Sequence, residues 1–178
     1  MWPPPEPPAR DCRHGAPDDA HAGRLARRAA ACPAPDIPAP VALLADDPLG
    51  VTREAADGDL SPYRRAFDLL DADPAHVLVV AVDGDALVGT LQLSVLPGLA
   101  RRGALCAQVE AVRVAAAARD RGLGTAMIEW AVGEARRRGC ELVQLTTDKT
   151  RVDARRFYER LGFVASHEGL KLMLAGSS

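Results

Sequence analysis

The chain has 178 residues, 48% hydrophobic and 26% charged, enough apolar material for one domain with a buried core plus extensions. The formal net charge of −2 gives no reason to expect a nucleic-acid partner, and no run of about 18 apolar residues marks a membrane span, so neither partner is expected. Cys12, Cys32, Cys106 and Cys140 form no C-x-x-C pair, so neither a disulfide framework nor a metal site is indicated, and reduced thiols in a cytoplasmic protein fit best.

Met1 to Ala22 is rich in proline, which blocks helix and sheet, and it carries few residues able to bury anything. It is expected to be a disordered extension over 1–22, ahead of a single domain over 23–178. It has no apolar h-region of a secretory signal. Arg24 to Ala30 is expected as a short first strand. After the proline-broken entry Pro33 to Pro40, Val41 to Ala45 ends a first helix that starts near Asp36. Asp47-Pro48-Leu49-Gly50 is a turn. Tyr63 to Ala72 carries Phe67, Leu69 and Leu70 and predicts a second helix, with Ser61 as N-cap and Pro62 at its first position.

His76 to Val82 is an apolar run bounded by Asp-Pro and Asp-Gly, the pattern of a buried strand. Asp83-Gly84 is a hairpin signal, and Ala86 to Leu96 is the partner strand, closed by Pro97-Gly98. Residues 99 to 103 form a basic loop, and Ala104 to Val114 returns as a third strand of an antiparallel meander.

Gln108 to Gly139 organises the rest. Val109, Val112 and Val114 mark the end of the strand, followed by the small run Ala115 to Ala118 and the charged turn Arg119 to Gly124. Leu123, Ala126, Met127, Trp130 and Ala131 then fall on one helical stripe, and Gly139 stops the helix after three arginines. A strand, a glycine turn and a helix N-terminus make an anion site: the first helical turn has unpaired N–H groups, and glycine lets a ligand approach the backbone. Arg119 and Arg121 add fork-shaped cationic donors, so the expected ligand part is a phosphate or pyrophosphate. No Gly-Lys-Ser/Thr follows, so this is not a P-loop, and Met127 stands where a dinucleotide fingerprint needs its third glycine. Glu141 to Thr147 is a further strand, which makes strand–helix–strand a right-handed parallel crossover. Thr150-x-x-Asp153 is expected as a capping box for a last helix, on which Ala154, Phe157, Tyr158 and Leu161 share a face. Gly162 ends it, and Phe163 to His167 and Leu170 to Leu174 are expected as two closing strands. The fold class is therefore α/β, a mixed sheet in which an antiparallel meander joins a βαβ crossover.

Arg119-x-x-Gly122-x-Gly124 after a strand, followed by helix, strand and Ala154-x-x-Phe157-Tyr158-Glu159-Arg160-Leu161-Gly162-Phe163, resembles the GCN5-related N-acetyltransferase (GNAT) family. The resemblance runs from about Ile37 to Leu174 in element order. It implies the GNAT fold with splayed central strands, and acetyl-CoA as cosubstrate with no metal. By the same resemblance, the amides of the Arg119, Gly122, Gly124 turn bind the CoA pyrophosphate, with Arg121, Leu123 and Thr125 beside it contributing. Val112 and Val114 match the strand positions whose backbone pairs with pantetheine. Tyr158 matches the tyrosine near the thioester sulfur. Arg151 stands where many members carry Asn.

The implied reaction is N-acetylation of a primary amine, on a small molecule or a peptide, by direct attack in a ternary complex. The strand N–H groups near Val112 and Val114 are candidate oxyanion donors. Tyr158 is a candidate acid for the leaving thiolate, because a phenol near pKa 10 lies above a thiol near about 8.5. Glu110, which strict alternation puts on the same side as Val112 and Val114, is a candidate base. Cys106 and Cys140 are not needed as nucleophiles, and His76 and His167 are expected to be structural. The rival reading is a GNAT-fold sensor that binds acyl-CoA without turnover. Asp46, Asp47, Glu54, Asp57 and Asp59 make the first region acidic, either to favour a cationic amine or simply as a solvated face. A homodimer is compatible with the sequence, which carries no specific mark of one.

Overall fold

β-Branched and leucine-rich runs joined by short turns dictate a sheet at the centre of this chain. The computed structural model describes residues 30–31, 37–46, 50, 54 and 58–174. In chain order they form β1 (Ala30–Ala31), α1 (Pro38–Ala45), α2 (Ser61–Ala72), β2 (His76–Asp83) and β3 (Ala86–Leu96). Then come α3 (Ala100–Gly103), β4 (Leu105–Val114), a 3-10 turn at Ala116–Ala118, α4 (Leu123–Arg137), β5 (Cys140–Leu145) and α5 (Val152–Arg160). The sheet order is β1-β2-β3-β4-β5. Neighbours are antiparallel except β4 and β5, which run parallel across the α4 crossover. The expected α/β class, meander and crossover are all present.

Each face of the sheet is covered separately. Leu91, Leu93 and Val109 point to α4 and pack with Leu123, Met127, Ile128, Ala131 and Ala135. Full burial of Leu91, Leu93 or Ile128 stabilises the fold by about 1.5–3 kcal/mol each. The approach is close: a Cβ on Gly89 would lie 2.8 Å from Met127 Sδ, so a larger residue there would make that methionine shift. On the other face, Ile37 and Val41 of the α1 region and Phe67 of α2 cover Val80.

Several expectations are corrected. Ser61 does not cap α2 with its side chain; its own N–H donates to Asp59 Oδ1 at 2.8 Å, one residue before the cap position, Leu60. The capping box at Thr150 does not form either. Asp148 Oδ1 accepts from both the backbone N–H (3.0 Å) and the hydroxyl (2.7 Å) of Thr150, which removes that hydroxyl from the helix end. The two closing strands are absent: residues 163–174 have no strand, and Val164, Leu170, Leu172 and Met173 are exposed. Their apolar alternation is a strand pattern, but a strand exists only where a neighbour supplies a ladder. The basic loop contains one turn, α3, in which Arg101 and Arg102 adopt left-handed φ of 53° and 61°. The first strand is seen only at Ala30–Ala31, and 24–29, the 1–22 extension and the turn at 47–49 lie outside the described residues.

Candidate functional site

β4 is paired on both sides only over its first half. Its ladder with β5 stops at Val109–Leu145, whereas its ladder with β3 continues to Val114–Gly89. Beyond Val109 the two parallel strands part, and the β4 backbone faces an opening. A bulge sits there, with Ala111 at φ 53° and one residue, Leu91, opposite two. Arginine side chains meet two of the exposed carbonyls: Arg113 Nη1 donates to Val112 O at 2.8 Å, and Arg119 Nε donates to Val114 O at 3.1 Å.

The N-terminus of α4 points at the same opening. Gly122, in the left-handed region at φ 77°, is its cap residue, with no side-chain capping bond. The first helical bond runs from Ala126 N–H to Gly122 O, so the N–H groups of residues 123–125 have no acceptor within the helix. Gly124 lets three elements converge: a Cβ there would lie 3.3 Å from Phe157 Cζ and 3.9 Å from Val114 Cγ2.

α5 supplies the far wall. The helix ends in a Schellman arrangement around Gly162, φ 90°, with Phe163 N–H donating to Tyr158 O (3.1 Å) and Gly162 N–H to Glu159 O (3.0 Å). This closure brings Phe163 edge-on to Tyr158 at 5.9 Å, with Phe157 on another side at 5.1 Å. The phenol is thereby held in place. Burial pushes its pKa up, partly offset by the positive charges of Arg151 and Arg113, so the group stays protonated at neutral pH.

These walls enclose a cleft of about 620 Å³. It brings together Val112, Val114, Arg119, Gly122, Gly124, Thr125 and Tyr158 of the residues expected from sequence. Three others do not line it. Arg121 is exposed, the Leu123 side chain is 3% exposed within the core so that only its backbone can serve a ligand, and Glu110 is exposed on the opposite face of the sheet from Val112 and Val114. Glu110 does not share the side of Val112 and Val114. It pairs with Gln92 while Arg113 pairs with Thr90, and the bulge between them reverses the alternation. Glu110 therefore stands on the face of Arg113, Thr90 and Gln92.

Sequence reasoning missed Arg113, Asp120, Thr150 and Arg160, which also line the cleft. A local pattern marks them only as polar residues in a strand, a turn and a helix. The acidic residues of the first region are elsewhere: Asp46 and Asp59 are exposed away from the cleft and Glu54 accepts from Tyr63 Oη at 2.9 Å, while Asp47 and Asp57 lie outside the described residues. Burial pushes the Cys106 and Cys140 thiols up, which disfavours a nucleophilic thiolate. His76 bonds Ser94 Oγ through Nδ1 at 2.8 Å, a structural link between strands, and exposed His167 bonds its neighbour Ser166 Oγ through Nδ1 at 2.8 Å. Among the described residues no cluster of His, Cys, Asp or Glu is arranged to hold a metal ion, and no helix is long and apolar enough to cross a membrane.

Residues 43–163 match the Acetyltransferase (GNAT) family. This chain belongs to the GNAT family. Aminoalkylphosphonate N-acetyltransferase of Salmonella typhimurium is 30% identical over 109 residues, which cover 61% of this chain and 70% of that protein. Among solved structures, a transcriptional regulator from Bacillus halodurans C-125 is 45% identical with a TM-score of 0.78, over 82% of this chain and 97% of the other. An acetyltransferase from Trypanosoma brucei is 25% identical with a TM-score of 0.66, over 80% of this chain and 96% of the other. The cleft has an open β4 edge, a bare helix N-terminus and a glycine turn, groups whose chemistry suits a long, amide-bearing diphosphate ester.

Proposed function

We propose that this GNAT chain transfers an acetyl group from acetyl-CoA to a primary amine by direct attack in a ternary complex. One observation carries the reading: the N-terminus of α4, the unpaired half of β4 and the phenol of Tyr158 open into one cleft. The relative from Salmonella, named for N-acetylation of an amine, supports an amine acceptor.

When bound, acetyl-CoA supplies an activated thioester. The chain's own groups do the rest. The N–H groups of residues 123–125, with Arg119 beside them, hold the diphosphate. Arg119 donates through Nε to Val114 O, and its other guanidinium N–H groups can serve the phosphate. The backbone of Val112 and Val114 pairs with the pantetheine amides as an added strand would, and aims the acetyl carbonyl at a β4 N–H. Tyr158 keeps its proton until a thiolate appears and then gives it up. Glu110, on the opposite sheet face from Val112 and Val114, is the candidate base and would take the amine's proton through water. We place the transferase domain in residues 23–178, a reading supported by the pairing of β1 with β2, and read the protein as cytoplasmic from cysteines that are scattered and form no C-x-x-C pair.

Thiol release from acetyl-CoA with a panel of amines, alongside calorimetry with CoA, tests this. Amine-dependent release is the expected result. CoA binding without any such release would make the chain a binding module instead, and the absence of CoA binding would end the acyl-CoA reading.

A further inference from the structure

We propose that two copies of this chain dimerise by exchanging the arm at residues 169–174, each arm adding a strand to the open edge of the other copy's β5. The proposal goes beyond the transferase reading and does not depend on it.

An open strand edge stands next to a segment patterned like a strand. β5 is the last strand of the sheet and, among the described residues, pairs only with β4. Its outer side therefore presents backbone N–H and C=O groups, a template for another chain. The arm starts at the end of that edge. Lys149 Nζ donates to Glu168 Oε1 at 3.0 Å, and a Cβ added to Gly169 would lie 3.9 Å from Thr146 Cγ2, one residue past the end of β5. From there the arm does not turn back along its own β5. Leu170, Leu172 and Met173 are 94%, 86% and 81% exposed, and residues 163–174 form no strand. Large apolar side chains gathered in so short a stretch and left in water mark a contact surface.

The two pieces fit each other. Val143 and Leu145, two apart on β5, rest against the α4 core. Leu170 and Leu172 are also two apart, so a strand laid on β5 puts them beside Val143 and Leu145 and widens that core by one strand. The only charge on β5 is Glu141 and the only charge on the arm is Lys171, both exposed, so edge and arm attract. Each copy carries one edge and one arm. A twofold pair fills both edges at once and leaves neither to recruit a third copy, which is how an exchanged segment closes. Thr146 and Lys149, where the arm is tethered, stand just ahead of Thr150 and Arg151 of the cleft, so an arm held by a partner also steadies that wall.

Sedimentation of the full chain from about 1 to 100 μM tests this, with hydrogen exchange of the β5 amides alongside. A dimer is expected. Leu172→Glu should raise its dissociation constant at least about 100-fold, because each dimer would then bury two carboxylates against the core. Leu69→Glu, at an exposed leucine of α2 away from the arm, should leave that constant unchanged. The outward amides of β5 should be protected in the dimer and exchange at least about tenfold faster once dilution separates the copies. A monomer at every concentration would overturn the proposal, as would a dimer indifferent to Leu172→Glu or weakened as much by Leu69→Glu. Protection of β5 that does not change on dilution would also overturn it, by laying each arm on its own edge.

Discussion

α4 and α5 face each other across the cleft but are held in different ways. α4 runs 15 residues and buries Leu123, Met127, Ile128, Ala131, Glu134 and Ala135, all but Glu134 in the sheet core. α5 runs nine residues and buries none fully; Phe157, Tyr158 and Leu161 only rest against that core. The chain beyond α5 is exposed at Leu170, Leu172 and Met173. One wall is thus part of the fold's foundation, and the other is held by a glycine closure and three aromatic rings. In the proposed reaction the anchored wall carries the backbone donors for the diphosphate, where position matters most, and the lightly held wall carries the phenol, which would act at the end.

The contrast should be plainest in stability. Ile128→Ala on α4 is expected to cost about 2–5 kcal/mol, against less than about 0.5 for Val152→Ala on α5, half-exposed at 51%. Denaturant titration of both variants measures this, and equal losses would mean that α5 is as firmly built in as α4. Next in size is the cofactor grip. Gly124→Leu should weaken CoA binding by at least about 100-fold in calorimetry, since its side chain fills the helix mouth and collides with Phe157. The fold should survive because the wall that must yield is the loosely held one. A normal CoA affinity in that variant would take the diphosphate away from this turn.

Tyr158→Phe should lower kcat by about 10- to 100-fold with CoA affinity changed less than about twofold, because the ring stays between Phe157 and Phe163 and only the proton donor goes. A fall in affinity with kcat intact would make the residue a packing element. The smallest effect concerns pH. Burial pushes the Glu134 carboxyl up, but its bonds to Arg138 (2.6 Å) and Arg137 outweigh this and hold it below the usual carboxylate range. A group depressed in the folded state stabilises it above the unfolded pKa, about 4.3 for Glu. That stability is lost as pH falls from there through the folded value. Glu134→Gln should therefore flatten the acid limb of the stability curve and leave α5 untouched. A limb of unchanged slope would assign acid sensitivity to other carboxylates.

The hairpin at Gly84, the ends of β3, and the span of α4 from its left-handed Gly122 to the stop at Gly139 were legible residue by residue. Turn chemistry and periodicity act within a few residues, so a linear string displays them. The pairing of the glycine turn with Phe157-Tyr158 was legible as a family pattern. The side of Glu110 was not, because the bulge at Ala111 has no signature in an alternating strand and one extra residue reverses everything beyond it. The closing strands were overread because Leu170, Leu172 and Leu174 alternate whether or not a partner strand lies alongside.

Local chemistry in the chain itself determined that there is a meander, a crossover helix and a glycine turn at its N-terminus, since each rests on residues close in sequence. Only the tertiary structure decided which arginines meet at Tyr158 and which face the carboxylate shares. Arg113 and Arg151 are 38 positions apart in the sequence, and what brings them to one cleft is the parting of β4 from β5, a matter of register between distant segments.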